Sequence, residues 1–348
     1  LIQVPGIQNT HLNGQVTYLA GKFAASGSGV YYSGCLSSWV RRLVLRGSNG
    51  EVIDDINEYA MIHRILQDVR TTVDTQNNQL SIQQGYGTVA EKKAYCAGKR
   101  FNLLLLSSFL RSGNLLPLGQ MGGFTIEIFL APSSDVLIVD SGTGSYQISE
   151  VQLRAELLTF NPAIDNAVNA AFRAGKIGIH APTMSFHSLT SQAILENWGI
   201  PNQSRSLRQI IISMRLQSTL HNWSKDSLTR TAGNINSFQL SIGGRIWEPL
   251  TNFSDMYQAL VRAFGYDVSG TLSMKNYGTD FGDGTSFLLS MDLTSDDSGT
   301  MVSGDHSQSS VECRVQHSSA PSEPLIYDCF LVTDRLVFIK PDGISVTS

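Results

Sequence analysis

Apolar runs in this chain are short, and turn residues separate them almost everywhere. Gly, Ser, Asn and Asp recur about every ten positions, with Val, Ile, Leu, Phe and Tyr between them. Runs of this length suit strands, because helices need longer periodic segments. The turn at Asn49-Gly50 has the pair of residues that best tolerates the positive φ of a tight hairpin. The pattern predicts an all-β fold in which helices are the minority.

A hairpin and then a helix are expected early in the chain. Trp39–Leu45 and Glu51–Ile53 suit two strands joined by the Asn-Gly turn. From Asp55 to about Val69 the apolar residues recur with a helical period. Asp54 and Asp55 stand where strand changes to helix, and carboxylates there complement the positive end of the helix dipole. We therefore expect this pair to cap the helix rather than to form a catalytic pair.

More strands and a second helix follow. Phe101–Leu110 is a nearly continuous apolar run, as expected of a strand covered on both faces, and Gly123–Leu130 alternates. Tyr146–Phe160 predicts a further strand. Asn161-Pro162 then offers a cap and a first helical residue for a helix that Gly175 would end.

The second half of the chain repeats the order of the first. A turn–strand–helix unit, an apolar strand and an alternating strand recur, and a polar stretch follows the helix both times, at 70–100 and at 265–286. Four extra residues separate turn from helix in the second copy. The repeat predicts two similar β-sandwiches in tandem, residues 1–160 as the first and residues 161–348 as a linker helix and the second. The positions that define it are Gly50, Tyr59, Arg64, Phe101 and Glu127, then Gly244, Tyr257, Arg262, Phe287 and Glu312.

Composition narrows the functional classes. Charged residues make up 16% of the 348 residues, against about 25% in a typical globular domain. With a net charge of −4, the chain has no global attraction for a phosphate backbone. The densest basic cluster is Arg41, Arg42 and Arg46, and no arginine-rich arm is visible in the sequence. Direct binding of nucleic acid is therefore not expected.

Cysteine spacing and hydropathy add two expectations. No CxxC pair occurs, so buried free thiols are expected at Cys35, Cys96, Cys313 and Cys329. The most apolar stretch, Asn102–Leu110, is too short to span a bilayer. The sequence starts at Leu1 with neither an initiator Met nor a basic-then-apolar leader, which leaves its targeting open.

The chain resembles the double jelly-roll major capsid proteins, the lineage of adenovirus hexon and of tailless phages with an internal membrane. The resemblance covers nearly the whole chain. It rests on the two tandem sandwiches and on Phe101–Leu110, which leads through Asn114–Leu118 and Gly122-Gly123 into Phe124–Ile128. The closing run Tyr327–Phe330 also belongs to it.

The resemblance implies a structural role. In that family a homotrimer presents six jelly rolls as a pseudo-hexagonal capsomer, and capsomers tile an icosahedral shell. For this chain it implies two tandem jelly-roll β-sandwiches with a few short helices, a place in the virion shell and assembly inside the host cell. The polar stretches would be loops at the rim or tower of the capsomer. Vertex or minor capsid proteins and an underlying membrane are the further partners implied. No catalytic, cofactor-binding or metal-binding residue is implied.

Two other functional classes stay open. Tandem β-sandwiches also form carbohydrate-binding or receptor-binding proteins, in which Trp39, Trp198 or Trp223 would be stacking faces for sugars. A glycan hydrolase built on a sandwich needs two carboxylates about 5–9.5 Å apart, and the sequence identifies no such pair.

Residues that could suggest other chemistry have simpler interpretations. His180 and His187 are interpreted as ordinary histidines rather than metal ligands. Asp280–Gly284 lacks the EF-hand spacing and is interpreted as a Gly-rich turn. Gly27–Gly29 and Gly142–Ser145 lack the Lys of a phosphate-binding loop and are interpreted as turns.

Overall fold

The structure is a computed structural model of the chain. It describes residues 1–71, 88–174, 178–202, 204, 206–247, 249–265, 284–294, 310–340 and 343–347. Two β-sandwiches follow one another along the chain. All four cysteines are free and buried, which confirms the expectation from their spacing.

The first sandwich contains the strands up to Thr159. They are β1 (Ile2–Pro5), β2 (Thr10–Ser28), β3 (Tyr31–Tyr32), β4 (Val40–Gly47), β5 (Val52–Asn57), β6 (Ala97–Leu104), β7 (Leu115–Pro117), β8 (Gly123–Leu130), β9 (Leu137–Ile138) and β10 (Ser141–Thr159). One sheet has the strand order β1-β8-β4-β5 and the other the order β10-β2-β6, with β7 also paired to β2. Leu19, Phe23, Leu45 and Ile126 are fully buried in the core of this sandwich.

The second sandwich contains the strands after Gly178. They are β11 (Gly178–His180), β12 (Thr183–Ser191), β13 (Leu195–Ile200), β14 (Leu207–Leu216), β15 (Ile235–Ile242), β16 (Arg245–Ile246), β17 (Leu289–Asp292), β18 (Val311–His317), β19 (Leu325–Thr333), β20 (Leu336–Lys340) and β21 (Gly343–Thr347). Its two main sheets have the orders β12-β19-β14-β17 and β13-β18-β15-β16, and a third has the order β11-β20-β21.

Strand order is the same in the two sandwiches. The sheet β13-β18-β15-β16 corresponds strand by strand to β1-β8-β4-β5, and β19-β14-β17 corresponds to β10-β2-β6. The corresponding strands also follow one another in the same order along the chain. In the described part of the chain, β12 has no counterpart beside β10. This agreement confirms the predicted fold class, two tandem jelly-roll β-sandwiches with a few short helices.

The helices of the described residues are short. They are α1 (Tyr59–Arg70), α2 (Val89–Cys96), α3 (Leu118–Met121), α4 (Ser133–Val136), α5 (Pro162–Arg173) and α6 (Phe253–Phe264). None of them is long and apolar enough to cross a membrane. At the start of α5 the Asn161 side chain accepts a hydrogen bond from the Ala163 amide and Pro162 is the first helical residue, as predicted. The predicted end at Gly175 lies outside the described residues.

Two expected elements have other bounds. The strand predicted over Phe101–Leu110 is β6, which ends at Leu104, and a turn follows it. Phe109 and Leu110 are buried in that turn. These two residues are therefore apolar because they are buried, although their backbone is not a strand. The polar stretch 70–100 was expected to be a loop but contains α2, whose Thr88 and Glu91 form a capping box.

The interpretation of Asp54 and Asp55 as helix caps was wrong. Both residues lie inside β5, which continues to Asn57, and α1 begins only at Tyr59. Asp55 forms an ion pair with Arg42 across the β4–β5 hairpin, at 2.6 Å. Asp54 points the other way and is buried. The two carboxylates therefore point to opposite faces because side chains alternate along a strand, and neither of them caps the helix.

Candidate functional site: the junction between the two sandwiches

The two sandwiches meet where β5 and α1 of the first pack against β12 and β14 of the second. The Thr183 hydroxyl donates a hydrogen bond to Asp54 Oδ1, at 3.2 Å. Arg335 Nη1 donates to the Ile53 carbonyl, at 2.9 Å. Burial raises the pKa of Asp54 to about 6, although Ser107 and Arg335 oppose the shift. The junction therefore contains polar groups removed from water.

Arg215 is at the centre of the junction. Its Nε lies 2.7 Å from Asp328 Oδ2 on the neighbouring strand, and its Nη2 lies 3.4 Å from Glu58 Oε2 of the first sandwich. Arg215 is 5% exposed and Asp328 is fully buried. Burial raises the pKa of Asp328 to about 6, and the guanidinium of Arg215 opposes this rise. The third charge of the junction is the carboxylate of Glu58. Glu58 directly precedes α1 and has a left-handed backbone conformation, with a φ of 46°.

Two further contacts join the sandwiches. Asp68 of α1 accepts from Arg230 at 2.9 Å, and both side chains are buried. Asp226 accepts from the Ser33 hydroxyl at 2.6 Å and from the Gly34 amide at 2.9 Å. Gly34 has a φ of +53°, and a Cβ there would lie 2.7 Å from the Leu228 side chain. The loop from Ser33 therefore needs glycine to approach the second sandwich this closely.

A cavity of about 400 Å³ lies in the same junction. Its lining includes Asp54, Arg70 and Arg111 from the first sandwich and Arg208 and Phe264 from the second. Burial lowers the pKa of Arg70 and of Arg111. Among the described residues, no group of three or more His, Cys, Asp or Glu side chains is arranged to hold a metal ion.

The structure places the sequence repeat on corresponding elements. Gly50 and Gly244 occupy the same hairpin turn of each sandwich, with φ of 83° and 80°. Phe101 lies in β6 and Phe287 just before the corresponding β17, and both are buried. Glu127 lies in β8 and Glu312 lies in β18, and these two strands have the same place in their sheets.

The helical positions of the repeat differ by one turn. Tyr59 is the first residue of α1, but Tyr257 is the fifth residue of α6, and Arg64 and Arg262 differ likewise. Gly244 follows Gly50 by 194 positions, and Phe253 at the start of α6 follows Tyr59 by the same 194. With this offset, α1 and α6 begin and end at equivalent positions. No insertion of four residues is then needed between the turn and the helix of the second copy. We therefore propose Phe253 as the counterpart of Tyr59.

Comparisons with known proteins give a clear result for structure only. No family model matches the sequence, and no curated protein matches it. The capsid of the virus PBCV-1, a quasi-atomic model, matches at a TM-score of 0.66 and 11% identity, over 99% of this chain and 91% of that chain. The Faustovirus major capsid protein matches at 0.61 and 8%, over 97% and 87%. The mavirus major capsid protein matches at 0.59 and 9%, over 99% and 86%. This chain has the double jelly-roll fold.

The structure gives the burial and the contacts of the tryptophans and histidines named in the sequence analysis. Trp39 is 2% exposed in the core of the first jelly roll, so the suggestion that it stacks on a sugar was wrong. Trp198 and Trp223 are half-buried. His180 Nε2 lies 2.7 Å from Asp334, and burial lowers the pKa of His187. Most of Asp280–Gly284 lies outside the described residues.

The charged residues of the junction were missed by the sequence analysis. Arg215 stands at the end of the apolar run of β14, and Asp328 stands in the middle of the apolar run of β19. A single charge inside a buried strand needs a partner of opposite sign. That signal was in the sequence and indicates that a partner exists. It does not identify Glu58, which is distant in the chain and belongs to the other jelly roll.

Proposed function

We propose that this double jelly-roll chain is the major capsid protein of an icosahedral virus. The observation that carries the proposal is the pair of jelly rolls with the same strand order, held together by buried ion pairs. Two similar units fixed in one chain make a trimer into a ring of six similar units, which tiles a surface as a pseudo-hexagon. The similar solved structures at TM-scores of 0.59 to 0.66 are capsid proteins, which supports the same role.

The proposal includes the division of the chain and its partners. We place the first jelly roll at 1–160 and the linker helix and second jelly roll at 161–348; the described strand pairings each stay on one side of that boundary. The chain would act as a structural protein of the virion shell rather than as an enzyme. Its main partners would be copies of itself, first in the trimer and then in neighbouring capsomers. Contacts with vertex proteins or with a membrane would come second, and direct contact with nucleic acid is not expected at a net charge of −4.

Mass in solution tests this function. Light scattering on the purified chain, followed by electron microscopy, should give trimers with a pseudo-hexagonal outline and shells or sheets built from them. A stable monomer that is retained on a glycan column would contradict the proposal and favour a carbohydrate-binding protein.

A further inference from the structure

Both jelly rolls line the cavity of about 400 Å³ at the junction. From the first come residues of β5, α1 and the turn after β6, and from the second come residues of β12, β14, β17, β19 and α6. Its apolar lining includes Ile56, Ile62, Leu66, Met184, Ile211 and Phe264. Charged and uncharged polar residues complete the lining. Pockets that hold small ligands have volumes of about 300–1,000 Å³, so this cavity is large enough for one.

The lining changes from apolar to cationic along α1. Ile62, Leu66 and Arg70 are four residues apart, so they form one stripe of the helix, about 12 Å long, that faces the cavity. Ile62 and Leu66 are buried, whereas Arg70 is exposed. The cavity therefore has an apolar inner end and a positive charge at its opening.

Two of the three cations in the lining have no acidic partner within the described part of the chain. The Arg70 side chain forms no ion pair or hydrogen bond there, and Arg111 donates to two backbone carbonyl groups. Arg208 is the third cation, and its Nη1 lies 3.4 Å from Asp334 Oδ1. Burial lowers the pKa of Arg70 and of Arg111, and a bound anion would offset this cost.

The two acids of the lining, Asp54 and Asp292, accept hydrogen bonds from the chain itself. Asp292 Oδ1 accepts from the amide and the hydroxyl of Thr294, at 3.0 and 2.7 Å. Asp54 Oδ1 accepts from the Thr183 hydroxyl, whereas its buried Oδ2 has no hydrogen-bond partner among the described residues. Because the pKa of Asp54 is already raised to about 6, a nearby anion would favour its protonated form. The unpaired charge of the cavity is therefore positive.

We propose that the junction cavity binds a single-chain amphiphile with an anionic head, whose head lies at Arg70 and whose chain lies along Leu66 and Ile62. Arg111 adds a second positive charge to the lining. The ligand contacts both jelly rolls at once and so stabilises their arrangement. The proposal is independent of the capsid function, because it concerns a site inside one chain.

Calorimetric titration of the full chain with decanoate tests the site. Decanoate should bind saturably, with one molecule per chain, and should raise the midpoint of thermal unfolding because it binds the folded state. Decyltrimethylammonium has the same chain with a positive head, and butanoate has the same head with a short chain. Each should bind at least about tenfold more weakly. Decyl phosphate is titrated in parallel, and the tighter of the two anions identifies the head as carboxylate or phosphate.

Two arginine variants test the position of the head. Arg70→Ala should weaken decanoate binding by about tenfold or more, because a charge-assisted contact is lost. Arg70 is exposed and has no ion pair among the described residues, so the variant should fold as the wild type does. Arg314→Ala is the control, since Arg314 is exposed on β18 and does not line the cavity. It should leave the affinity unchanged.

Two alanine variants of α6 test the position of the chain. Ala263 lines the cavity, and Ala259, one turn earlier, lines the neighbouring groove. Both residues are half-buried. Ala263→Phe should abolish decanoate binding because the ring fills the cavity, whereas Ala259→Phe should leave it unchanged. Thermal unfolding without ligand verifies that both variants are folded.

Three results would overturn the proposal. The site is refuted if neither decanoate nor decyl phosphate binds saturably. Equal affinities for decanoate and decyltrimethylammonium would refute the anionic head. Binding that is unchanged in both Arg70→Ala and Ala263→Phe would place the ligand elsewhere. Trimers that bind no amphiphile would leave the capsid function standing, and a monomer that binds decanoate would support the site alone.

Discussion

At the scale of single residues, burial decides what each polar group does. Asp54 and Asp55 are neighbours in sequence, yet one is buried at the junction and the other is half-exposed in an ion pair with Arg42. Tyr59 is fully buried, and its hydroxyl accepts a hydrogen bond from the Leu106 amide at 2.9 Å. Such residues hold the first jelly roll and its helix in one arrangement.

Tyr59→Ala should lower the free energy of unfolding by about 3 kcal/mol, because it leaves a large cavity and removes the hydrogen-bond acceptor of the Leu106 amide. Tyr59→Phe should cost about 1 kcal/mol, since only the hydrogen bond is lost. Tyr257→Ala should cost about 1 kcal/mol, because Tyr257 is half-buried. Urea denaturation gives all three values. Equal losses for Tyr59→Ala and Tyr257→Ala would support the original pairing of these two tyrosines.

Asp54→Asn should change how stability depends on pH. The pKa of Asp54 is about 6 in the folded chain and 3.8 in the reference state, so between these values the folded chain holds a proton that the unfolded chain releases. The stability gained from this is fully present below pH 4 and is lost as the pH rises to 6. Asparagine keeps the group neutral, so the variant should gain about 2 kcal/mol on wild type between pH 4 and 7.

Thermal unfolding at several pH values measures this difference. Asp55→Asn is the control, since Asp55 is half-exposed, and its difference from wild type should vary less with pH. A constant difference between Asp54→Asn and wild type from pH 4 to 7 would refute the assigned cause.

At the scale of elements, chain geometry at a few turns sets strand pairing. β1 pairs with β8 from Ile2 opposite Ile126 to Pro5 opposite Gly123. Gly123 has a φ of +86°, and a Cβ there would lie 2.2 Å from the Val4 carbonyl oxygen. The edge strand β1 can therefore approach β8 only because position 123 has no side chain.

Gly123→Ala should cost about 3 kcal/mol, since it combines left-handed strain with a backbone clash. Gly50→Ala is a matched control, because Gly50 has a φ of +83° and nothing within 4 Å of its Cβ position. It should cost about 1 kcal/mol from the backbone conformation alone. Hydrogen exchange should show lost protection in β1 for the first variant only. Equal costs at the two glycines would mean that the contact with Val4 is unimportant.

At the scale of the whole molecule, buried charge fixes how the two jelly rolls meet. Arg215 contacts Asp328 of its own jelly roll and Glu58 of the other, and Arg230 and Asp68 form a second buried pair across the junction. Buried ion pairs give little net stability but penalise arrangements in which a charge loses its partner. The junction is therefore suited to fixing one orientation.

Arg215→Met should lower the free energy of unfolding by about 3–5 kcal/mol, because Asp328 stays buried without its cation. The double variant Arg215→Met and Asp328→Leu should recover most of that loss, since both charges are replaced by apolar groups. Equilibrium unfolding of the single and double variants measures the coupling. If the double variant is as unstable as the single one, the loss comes from packing rather than from an unpaired charge.

Sequence alone determined the fold class and the repeat. Short apolar runs between turn residues reflect the backbone preferences of residues that are adjacent in sequence. Such preferences can be predicted without knowing the tertiary structure. The same holds for the cap at Asn161 and for the hairpin turns at Gly50 and Gly244. The end of β6 could not be predicted in this way, because the apolar residues Phe109 and Leu110 follow the strand and are buried in a turn.

Only the tertiary structure decided which residues form the junction and which surfaces stay uncovered. Glu58 and Arg215 are 157 positions apart, and their contact depends on the packing of two complete jelly rolls. Likewise, only the ends of α1 and α6 showed that the four extra residues result from pairing Tyr59 with Tyr257 instead of Phe253. Contacts of this kind arise from the summed geometry of many strands, so no local pattern in the sequence specifies them.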